Sequence, residues 1–371
     1  MSTVMQERYV VTPFFVFFLV HANMVGVGIL GFQRSLIHPA GYDAWISLIA
    51  TGLSTHIVMW MMYSMLGNGA IDLLQLHESC FGKWVGRMMS LLVLLYVFVA
   101  GFIIFRSYVE VVKLIIFPLM NTWSIGLVVL LLVYYVVSGG FRTVTGICFF
   151  GVTVPLLLIL PLFAFPFEFI QPNNLLPVFS HSVKELYLSA KSGIFNFAGF
   201  ELLFFYYPFI KNPGQSRKWA HAALLFTTVL YLALTLITFM FFTEGELEKI
   251  IWPTLTMVKI IEIPLIQRIE FIVVSLWLFV VLPNICLNVW AITRAMKQMF
   301  ALNQRKTLLF VLLAILLTSL GLDSRTGLME LTSMYGETAM YFLYGYIPFL
   351  FFAYHLWGKR RGSRTPLEHN Q

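Results

Sequence analysis

The sequence predicts an all-α polytopic membrane protein with ten transmembrane helices, arranged as a 5+5 inverted repeat in which helices 1 and 6 are broken. Three observations support this prediction. The 371 residues are 59% hydrophobic and only 11% charged, whereas a soluble domain carries roughly 25% charged residues. Ten apolar stretches are long enough to cross a bilayer, and glycines interrupt the first and the sixth of them.

The positions of the spans follow from bilayer thickness, since a hydrocarbon core takes about 20 apolar residues as helix. The mean hydropathy of +0.85 indicates that most of the chain lies in the membrane. We place spans 1 to 10 at residues 10–33, 41–66, 85–112, 122–138, 143–165, 187–210, 218–243, 267–298, 306–322 and 338–357. We therefore expect one transmembrane domain over 1–371, with a first repeat at 10–165, an inverted second repeat at 187–357 and a tail at 358–371.

The distribution of basic residues predicts that both termini face the cytoplasm, because short cytoplasmic segments are enriched in Lys and Arg. With ten spans, 15 of the 24 Lys and Arg residues fall on the side of the termini and eight on the other side, which we call the outer side. The net charge of +7 is then mainly orienting charge. The basic tail is expected to contact membrane lipid head groups, and no basic stretch indicates a nucleic-acid site.

Span 1 contains a G-x-G-x-x-G pattern formed by Gly26, Gly28 and Gly31. In a soluble strand–turn–helix unit this spacing binds a dinucleotide, but here it follows "VVTPFFVFFLV", which is typical of a membrane helix. Three glycines in six residues lower helix stability by roughly 1 kcal/mol each relative to alanine. Two interpretations remain: close helix packing, or an unwound turn whose backbone groups line a cavity and bind a ligand.

Span 6 has a second interruption, within "KSGIFNFAGFELLFFYYPFI". Gly193 and Gly199 bracket Asn196, and Glu201 lies in the apolar run that follows. Spans 1 and 6 each begin a set of five, and an odd number of spans per set inverts the second set. Interruptions at corresponding positions of two inverted repeats point to a binding site near the bilayer midplane.

With these motifs in order, the chain resembles the B subunit of spore germinant receptors, the endospore germination permease family within the amino acid–polyamine–organocation transporter superfamily. The matching stretches are "GVGILGFQR" in the first break, "FGKWVG" at 81–86, R-x-x-x-E-x-V-K at 106–113, "NNLLPV" at 173–178, "FAGFE" at 197–201, "IWPT" at 251–254 and R-x-E at 268–270. One position departs from the family pattern, which leads us to expect proline before Arg34 where this chain has Gln33. The geometry with which span 1 leaves its break is therefore open.

The resemblance implies a LeuT-like bundle in the inner membrane of a dormant bacterial spore. It also implies two protein partners, a larger A subunit with membrane spans and a C-subunit lipoprotein. The B subunit would bind a small germinant, such as an amino acid, a sugar or a nucleoside. It would pass that occupancy to its partners rather than accumulate the molecule.

We expect the ligand to lie between the two breaks, where free amides of span 1 would bind an anionic or hydrogen-bonding group. The second break would supply carbonyl groups and shape, and spans 3 and 8 flank the breaks in LeuT-like bundles. Two asparagines one turn apart in span 8 would contact the ligand or hydrogen-bond another helix. The predicted ligand-binding residues are Gly26, Val27, Gly28, Ile29, Ala100, Gly101, Asn196, Phe197, Ala198, Gly199, Asn284 and Asn288.

Five charged residues are predicted to form a gate, a coupling network or a purely structural ion network: Arg106, Glu110, Glu201, Arg268 and Glu270. The first two are four residues apart on one helix and can pair. The last two also lie near an outer helix end and could pair across to them. Glu201 has no base near it in the sequence, so it could bind an amine, take up a proton or pair with a distant helix.

Two functions stay open, a ligand-sensing receptor subunit and a proton- or sodium-coupled amino acid transporter. Span 5 carries no Lys, Asp, Glu or His, and a proton-coupled permease of this superfamily often has a basic residue there, which favours the receptor. Cys80, Cys148 and Cys286 show neither a disulfide framework nor metal-ligand spacing. We expect no enzyme activity, no cofactor and no metal, since the loops are short and carry no catalytic constellation.

Overall fold

The computed structural model describes residues 10–67, 71–260, 268–322 and 324–358. Apart from an isolated bridge between Val11 and Ile210, regular structure in these ranges is helical. The predicted all-α class with breaks in helices 1 and 6 is confirmed. The expected cytoplasmic tail falls almost entirely on residues 359–371, outside the described residues.

Six spans are single helices that follow one another in the predicted order. Spans 2, 3, 4, 5, 7 and 9 are Ala44–Leu66, Lys83–Ile115, Thr122–Ser138, Phe141–Leu158, Arg217–Phe241 and Gln304–Gly321. Span 5 continues as the 3-10 segment Leu160–Glu168. Three short helices lie in the connections: Leu73–Phe81, Glu244–Leu247 and Pro253–Val258.

The other four spans are interrupted. Span 1 consists of Phe15–Met24, the 3-10 turn Val27–Leu30 and Phe32–Ala40. Span 6 consists of Val183–Phe197 and, after its break, the short turns Phe200–Leu202, Leu203–Tyr206 and Tyr207–Phe209. Span 8 is divided at Trp277 into Ile269–Leu276 and Leu278–Phe300, and span 10 runs through Arg325–Tyr341, Phe342–Tyr346, Ile347–Ala353 and Tyr354–Gly358.

Helix length and composition agree with this count. Seven helices of the described residues are long and apolar enough to cross a membrane, one of them merging the outer half of span 1 with span 2. Two shorter apolar helices are the inner half of span 1 and span 4. Span 6 is in neither group, because its break divides it into short pieces. It is the tenth span.

Two predicted boundaries are wrong, and polar residues explain both errors. Span 1 continues to Ala40 instead of ending at residue 33, through "FQRSLIHPA". Span 10 begins at Arg325 instead of 338, through "RTGLMELTSMYGETAM". Hydropathy underestimates both segments because several of their polar side chains line an internal cavity instead of meeting lipid.

The broken helices lie at the centre of the bundle. The inner half of span 1 packs against spans 5, 7 and 8, while its outer half packs against span 6. Span 6 also contacts spans 2 and 10. The interrupted backbone is therefore surrounded by protein, which is the condition under which non-helical backbone is tolerated at membrane depth.

Asp43 fastens the connection before span 6 to the turn that precedes span 2. Its carboxylate accepts the backbone N–H groups of Phe179 at 2.9 Å, Ser180 at 2.7 Å and His181 at 3.1 Å. The His181 Nδ1 atom lies 3.1 Å from the same carboxylate. Burial by itself raises the pKa of Asp43. Hydrogen bonds from His181, Phe179 and Ser180 lower it by more than burial raises it, so the net pKa is below the ordinary value.

We expect Asp43→Asn to lower the free energy of unfolding by about 1–3 kcal/mol, because it replaces a charged acceptor of several N–H groups. A carboxylate with a lowered folded-state pKa stabilises the fold above its unfolded pKa of about 3.9 and loses that contribution as the pH falls through the folded value. The two proteins should therefore differ in unfolding temperature at pH 8 and still differ at about pH 5, and they should converge only below about pH 4. Convergence near neutral pH would contradict this assignment.

Candidate functional site

The first break begins where the regular hydrogen bonding of span 1 stops. The last bond of the inner half runs from the Val25 N–H to the His21 carbonyl, and Val25 is extended. After Gly26 the chain forms one 3-10 turn, closed by the Gly31 N–H to the Gly28 carbonyl at 3.0 Å. The first N–H groups of such a turn have no partner within it, so they are free to face a ligand.

The second break touches the first. Ala198 is extended, and Gly199 has φ of +121°, a conformation that L side chains rarely adopt. A Cβ atom at Gly199 would clash with the Asn23 carbonyl oxygen. Glycine at this position therefore provides both the backbone conformation and the close approach of span 6 to span 1.

Glu201, which follows the second break in span 6, accepts a backbone N–H group of that break. Its Oε2 atom accepts the Gly199 N–H at 2.6 Å, and its Oε1 atom accepts the Tyr96 hydroxyl at 2.7 Å. The side chain is buried, and Tyr96 belongs to span 3. The carboxylate thus connects the second break to span 3. The sequence analysis did not predict this partner, because Tyr96 lies 105 residues from Glu201 in the chain.

A network of three asparagines joins spans 1, 6 and 8. The Asn23 amide donates to the Gly199 carbonyl at 2.7 Å, and the Asn284 amide donates to the Asn23 carbonyl at 2.9 Å. The Asn288 amide donates to the Asn23 side-chain oxygen at 3.2 Å and to that of Asn284 at 3.0 Å. All three side chains are buried. Asn23 is absent from the predicted site, although a lone amide ending an apolar run is a recognisable signal.

A cavity of about 740 Å³ extends from the two breaks to the outer ends of spans 1, 6 and 10. Its volume lies within the roughly 300–1,000 Å³ typical of small-molecule sites. Its walls are largely apolar, with Val97, Ile104, Phe195 and Leu202 among them. Polar groups converge on it at the breaks, which is the composition expected of a site that orients a small ligand.

Most of the predicted ligand residues lie around this cavity. Nine of them line it: Gly26, Val27, Gly28, Ala100, Asn196, Ala198, Gly199, Asn284 and Asn288. The other three are placed elsewhere. Ile29 lines a separate cavity of about 60 Å³ behind the break, Gly101 packs against Asn288, and the Phe197 ring packs edge-on against Tyr231 at 5.5 Å.

The charged pairs form between near neighbours in the sequence, and Arg268 directly precedes the helix that contains Glu270. The Arg106 guanidinium lies 3.1 Å from Glu110, and that of Arg268 lies 2.9 Å from Glu270. Glu110 also lies 3.5 Å from the Arg325 guanidinium at the start of span 10 and lines the cavity. The sequence prediction placed Arg325 in a loop, so it missed this third partner.

Span 10 forms a wall of the cavity that the sequence prediction also missed. Tyr335 stacks on Tyr96 with ring centroids 4.9 Å apart and meets Phe195 edge-on at 5.9 Å. The Lys191 ammonium lies 3.1 Å from Glu337, which joins the outer half of span 6 to span 10. The serine, threonine and glutamate residues among the apolar residues after Arg325 could have indicated a helix that lines a polar cavity.

The fold and the cavity define a class of membrane protein, helical bundles with a cavity between two interrupted spans. The chain is similar in structure to Mhp1, a nucleobase-cation-symport-1 family transporter, in a closed conformation with bromovinylhydantoin bound. The TM-score is 0.65, the match covers 98% of this chain and 81% of that chain, and the identity is 11%. This similarity confirms the LeuT-like architecture and concerns the fold alone.

Sequence comparison is more specific. Residues 10–328 match the spore permease family model, described as spore germination protein. The chain is 38% identical to spore germination protein GerQB of Bacillus cereus, over 92% of this chain and 95% of that protein. It is 24% identical to spore germination protein A2 of Bacillus subtilis (strain 168), over 86% and 88% respectively. The chain therefore belongs to this family of spore germination proteins.

We expect Gly199→Ala to lower the free energy of unfolding by about 1–3 kcal/mol, because the new Cβ meets the Asn23 carbonyl oxygen and the φ angle is unfavourable for alanine. Gly146→Ala is the matched control, since Gly146 lies in span 5 with nothing within 4 Å of its Cβ position. Thermal unfolding in detergent measures both. Equal stability of the two variants would show that the breaks do not meet at Gly199.

Proposed function

We propose that this chain is the nutrient-sensing subunit of a spore germinant receptor, which binds a small germinant between the two helix breaks and signals to partner subunits to start germination. Family membership supports the role in germination. The observation that carries ligand binding is the cavity of about 740 Å³ where the two breaks meet. A germinant of the size of an amino acid, a sugar or a nucleoside fits that space.

Polar groups at the breaks suggest how the ligand is oriented. The N–H groups at Gly26, Val27 and Gly28 would bind its anionic or acceptor end, assisted by the dipole of the outer half of span 1. The Asn196 Oδ1 atom is buried, belongs to a cavity-lining side chain and has no partner among the described residues. A buried acceptor without a partner is costly, so we assign it to a donor group of the ligand.

The neighbouring spans would complete the proposed site. Ala100 leaves space on span 3, while Ala198 and Gly199 shape the second break. Asn284 and Asn288 of span 8 bond to Asn23 of span 1, which in turn bonds to Gly199 of span 6. Their hydrogen bonds are already made within the protein, so we propose that they position the site instead of supplying its main ligand contacts.

We propose that the charged residues at the outer ends transmit occupancy. Glu110 and Arg325 join spans 3 and 10, while Lys191 and Glu337 join spans 6 and 10, and all four line the cavity. A ligand that shifts span 10 would change both ion pairs at once. Arg106, Arg268 and Glu270 would support this gate, and Glu201 would couple span 3 to the second break.

The remaining features of the proposal follow from the family. We infer a location in the inner membrane of the bacterial spore, with both termini on the cytoplasmic side. We also infer assembly with a receptor A subunit and a C-subunit lipoprotein. The chain would then act as a binding and signalling subunit and not as an enzyme.

A panel of amino acids, sugars and nucleosides tested on the purified chain should contain at least one that raises its unfolding temperature. Binding to the folded state alone stabilises it by about 2.7 kcal/mol at a concentration of 100 Kd. Gly28→Leu should abolish that increase, because its side chain would meet Asn196 at the breaks. Gly146→Leu, in open space on span 5, is the control that keeps the response. A Gly28→Leu protein that still responds would place the ligand elsewhere.

The transporter remains the second candidate, because the fold is shared with a transporter. The nutrient that stabilises the chain should be supplied in labelled form to proteoliposomes with an imposed proton or sodium gradient. Under the receptor proposal we expect binding in proportion to the protein, without accumulation in the lumen. Accumulation against a concentration gradient, abolished by Gly28→Leu, would replace the receptor with a coupled transporter.

A further inference from the structure

The connection between spans 7 and 8 reaches the first break directly. Ile251 and Trp252 line the cavity, and the helix Pro253–Val258, which we call the roof helix, follows them. A Cβ atom at Gly31 would clash with the Ile251 carbonyl oxygen and lie 3.3 Å from the Trp252 ring. Glycine at position 31 is therefore required for this contact.

A buried hydrogen-bond chain fixes the roof helix to both sides of Gly31. The Thr254 hydroxyl donates to the Ile29 carbonyl at 2.9 Å and accepts the Gln33 amide at 2.8 Å. That amide also donates to the Thr238 hydroxyl of span 7 at 3.3 Å. Both hydroxyls already donate to carbonyls, Thr238 to that of Leu234 at 2.6 Å. They can only accept from Gln33, which fixes the orientation of its amide.

These hydrogen bonds provide a partner for a backbone group of the first break that span 1 cannot satisfy by itself. Ile29 belongs to the short 3-10 turn, while Gln33 belongs to the outer half of span 1. A carbonyl at membrane depth needs a partner, and for Ile29 that partner comes from the roof helix. A proline at position 33, as the family pattern leads us to expect, has no donor and could not form this connection.

The same connection also touches the gate. The Arg325 guanidinium lies over the Trp252 ring at 5.4 Å and pairs with Glu110 of span 3. The roof helix is thus attached to the first break on one side and, through the adjacent Trp252, faces span 10 on the other. A displacement of the roof helix changes the break and the gate together.

We propose that Thr254 and Gln33 are positioning residues that hold the first break in its observed shape from the connection between spans 7 and 8. This role goes beyond ligand binding and does not depend on the identity of the ligand. An event at the outer face that moves the roof helix would reach the binding site through the Thr254 hydroxyl. Local opening of the break is therefore the quantity to measure.

Thiol labelling can report that opening without a known ligand. Val27→Cys places a thiol in the break, where the native residue is 9% exposed and lines the cavity. The native cysteines are buried, and Cys148 and Cys286 are fully so. The probe is a membrane-impermeant trimethylammonium methanethiosulfonate, and mass spectrometry identifies which cysteine has reacted.

Four further substitutions are introduced into the Val27→Cys protein. Thr254→Val removes the hydroxyl but keeps the shape of the side chain. Gln33→Leu removes the amide that donates to this hydroxyl. Each substitution should raise the labelling rate at position 27 severalfold. Thr254→Ser keeps the hydroxyl and should label as slowly as the parent. Thr256→Val is the matched control, because its hydroxyl donates to the Trp252 carbonyl of its own turn and makes no hydrogen bond to the break among the described residues. The double variant Thr254→Val, Gln33→Leu should show little increase over either single one, since both act on one connection.

Two results would overturn the proposal. One is equal labelling of Thr254→Val and Thr256→Val, which would show that the Thr254 hydroxyl does not hold the break. The other is acceleration at position 27 that occurs only together with labelling of Cys148 and Cys286, which would indicate global unfolding instead of local opening. Acceleration at position 27 alone supports the proposal, whether or not a nutrient has been found for the site.

Discussion

The structure depends on one constraint, that every backbone N–H and carbonyl group at membrane depth needs a hydrogen-bond partner, because lipid supplies none. Intact helices meet it internally, but spans 1 and 6 do not. Each exposes several backbone groups near the centre of the bundle. The groups that are hydrogen-bonded find their partners in a small set of buried polar side chains, which includes Asn23, Asn284, Glu201, Tyr231 and Thr254. The groups that remain open face the cavity, which makes the same constraint the origin of the proposed site.

The partners of the broken backbone come from different parts of the chain, and this distribution connects the site to the rest of the molecule. Glu201 brings in span 3 through Tyr96, and the asparagine network brings in span 8. Thr254 brings in the outer connection between spans 7 and 8. Hydrogen bonds thereby connect the two breaks to three other elements.

Span 10 shows why the site was only partly predictable. The sequence predicted the glycine breaks and singled out the asparagines of span 8, because glycine and amide residues in apolar helices are conspicuous. It could not place Tyr335, Lys191 or Arg325 at the cavity, since their partners lie on other spans. It also assigned Ile29, Gly101 and Phe197 to the ligand, although these three residues do not line the cavity. Periodicity gives the spacing of side chains on a helix but not the direction in which an unwound turn presents them.

The sequence by itself determined the membrane class, the order of ten spans and the positions of the two breaks, because hydropathy and glycine spacing act locally along the chain. It also determined the family, because the motifs occur in fixed order. Only the tertiary structure decided which polar groups satisfy the breaks, where the cavity ends and that Gln33 bonds to Thr254. Those contacts join residues up to about 260 positions apart, as in the bond from Asn284 to Asn23. Their geometry is set by how the helices pack around the interrupted backbone, which no local pattern encodes.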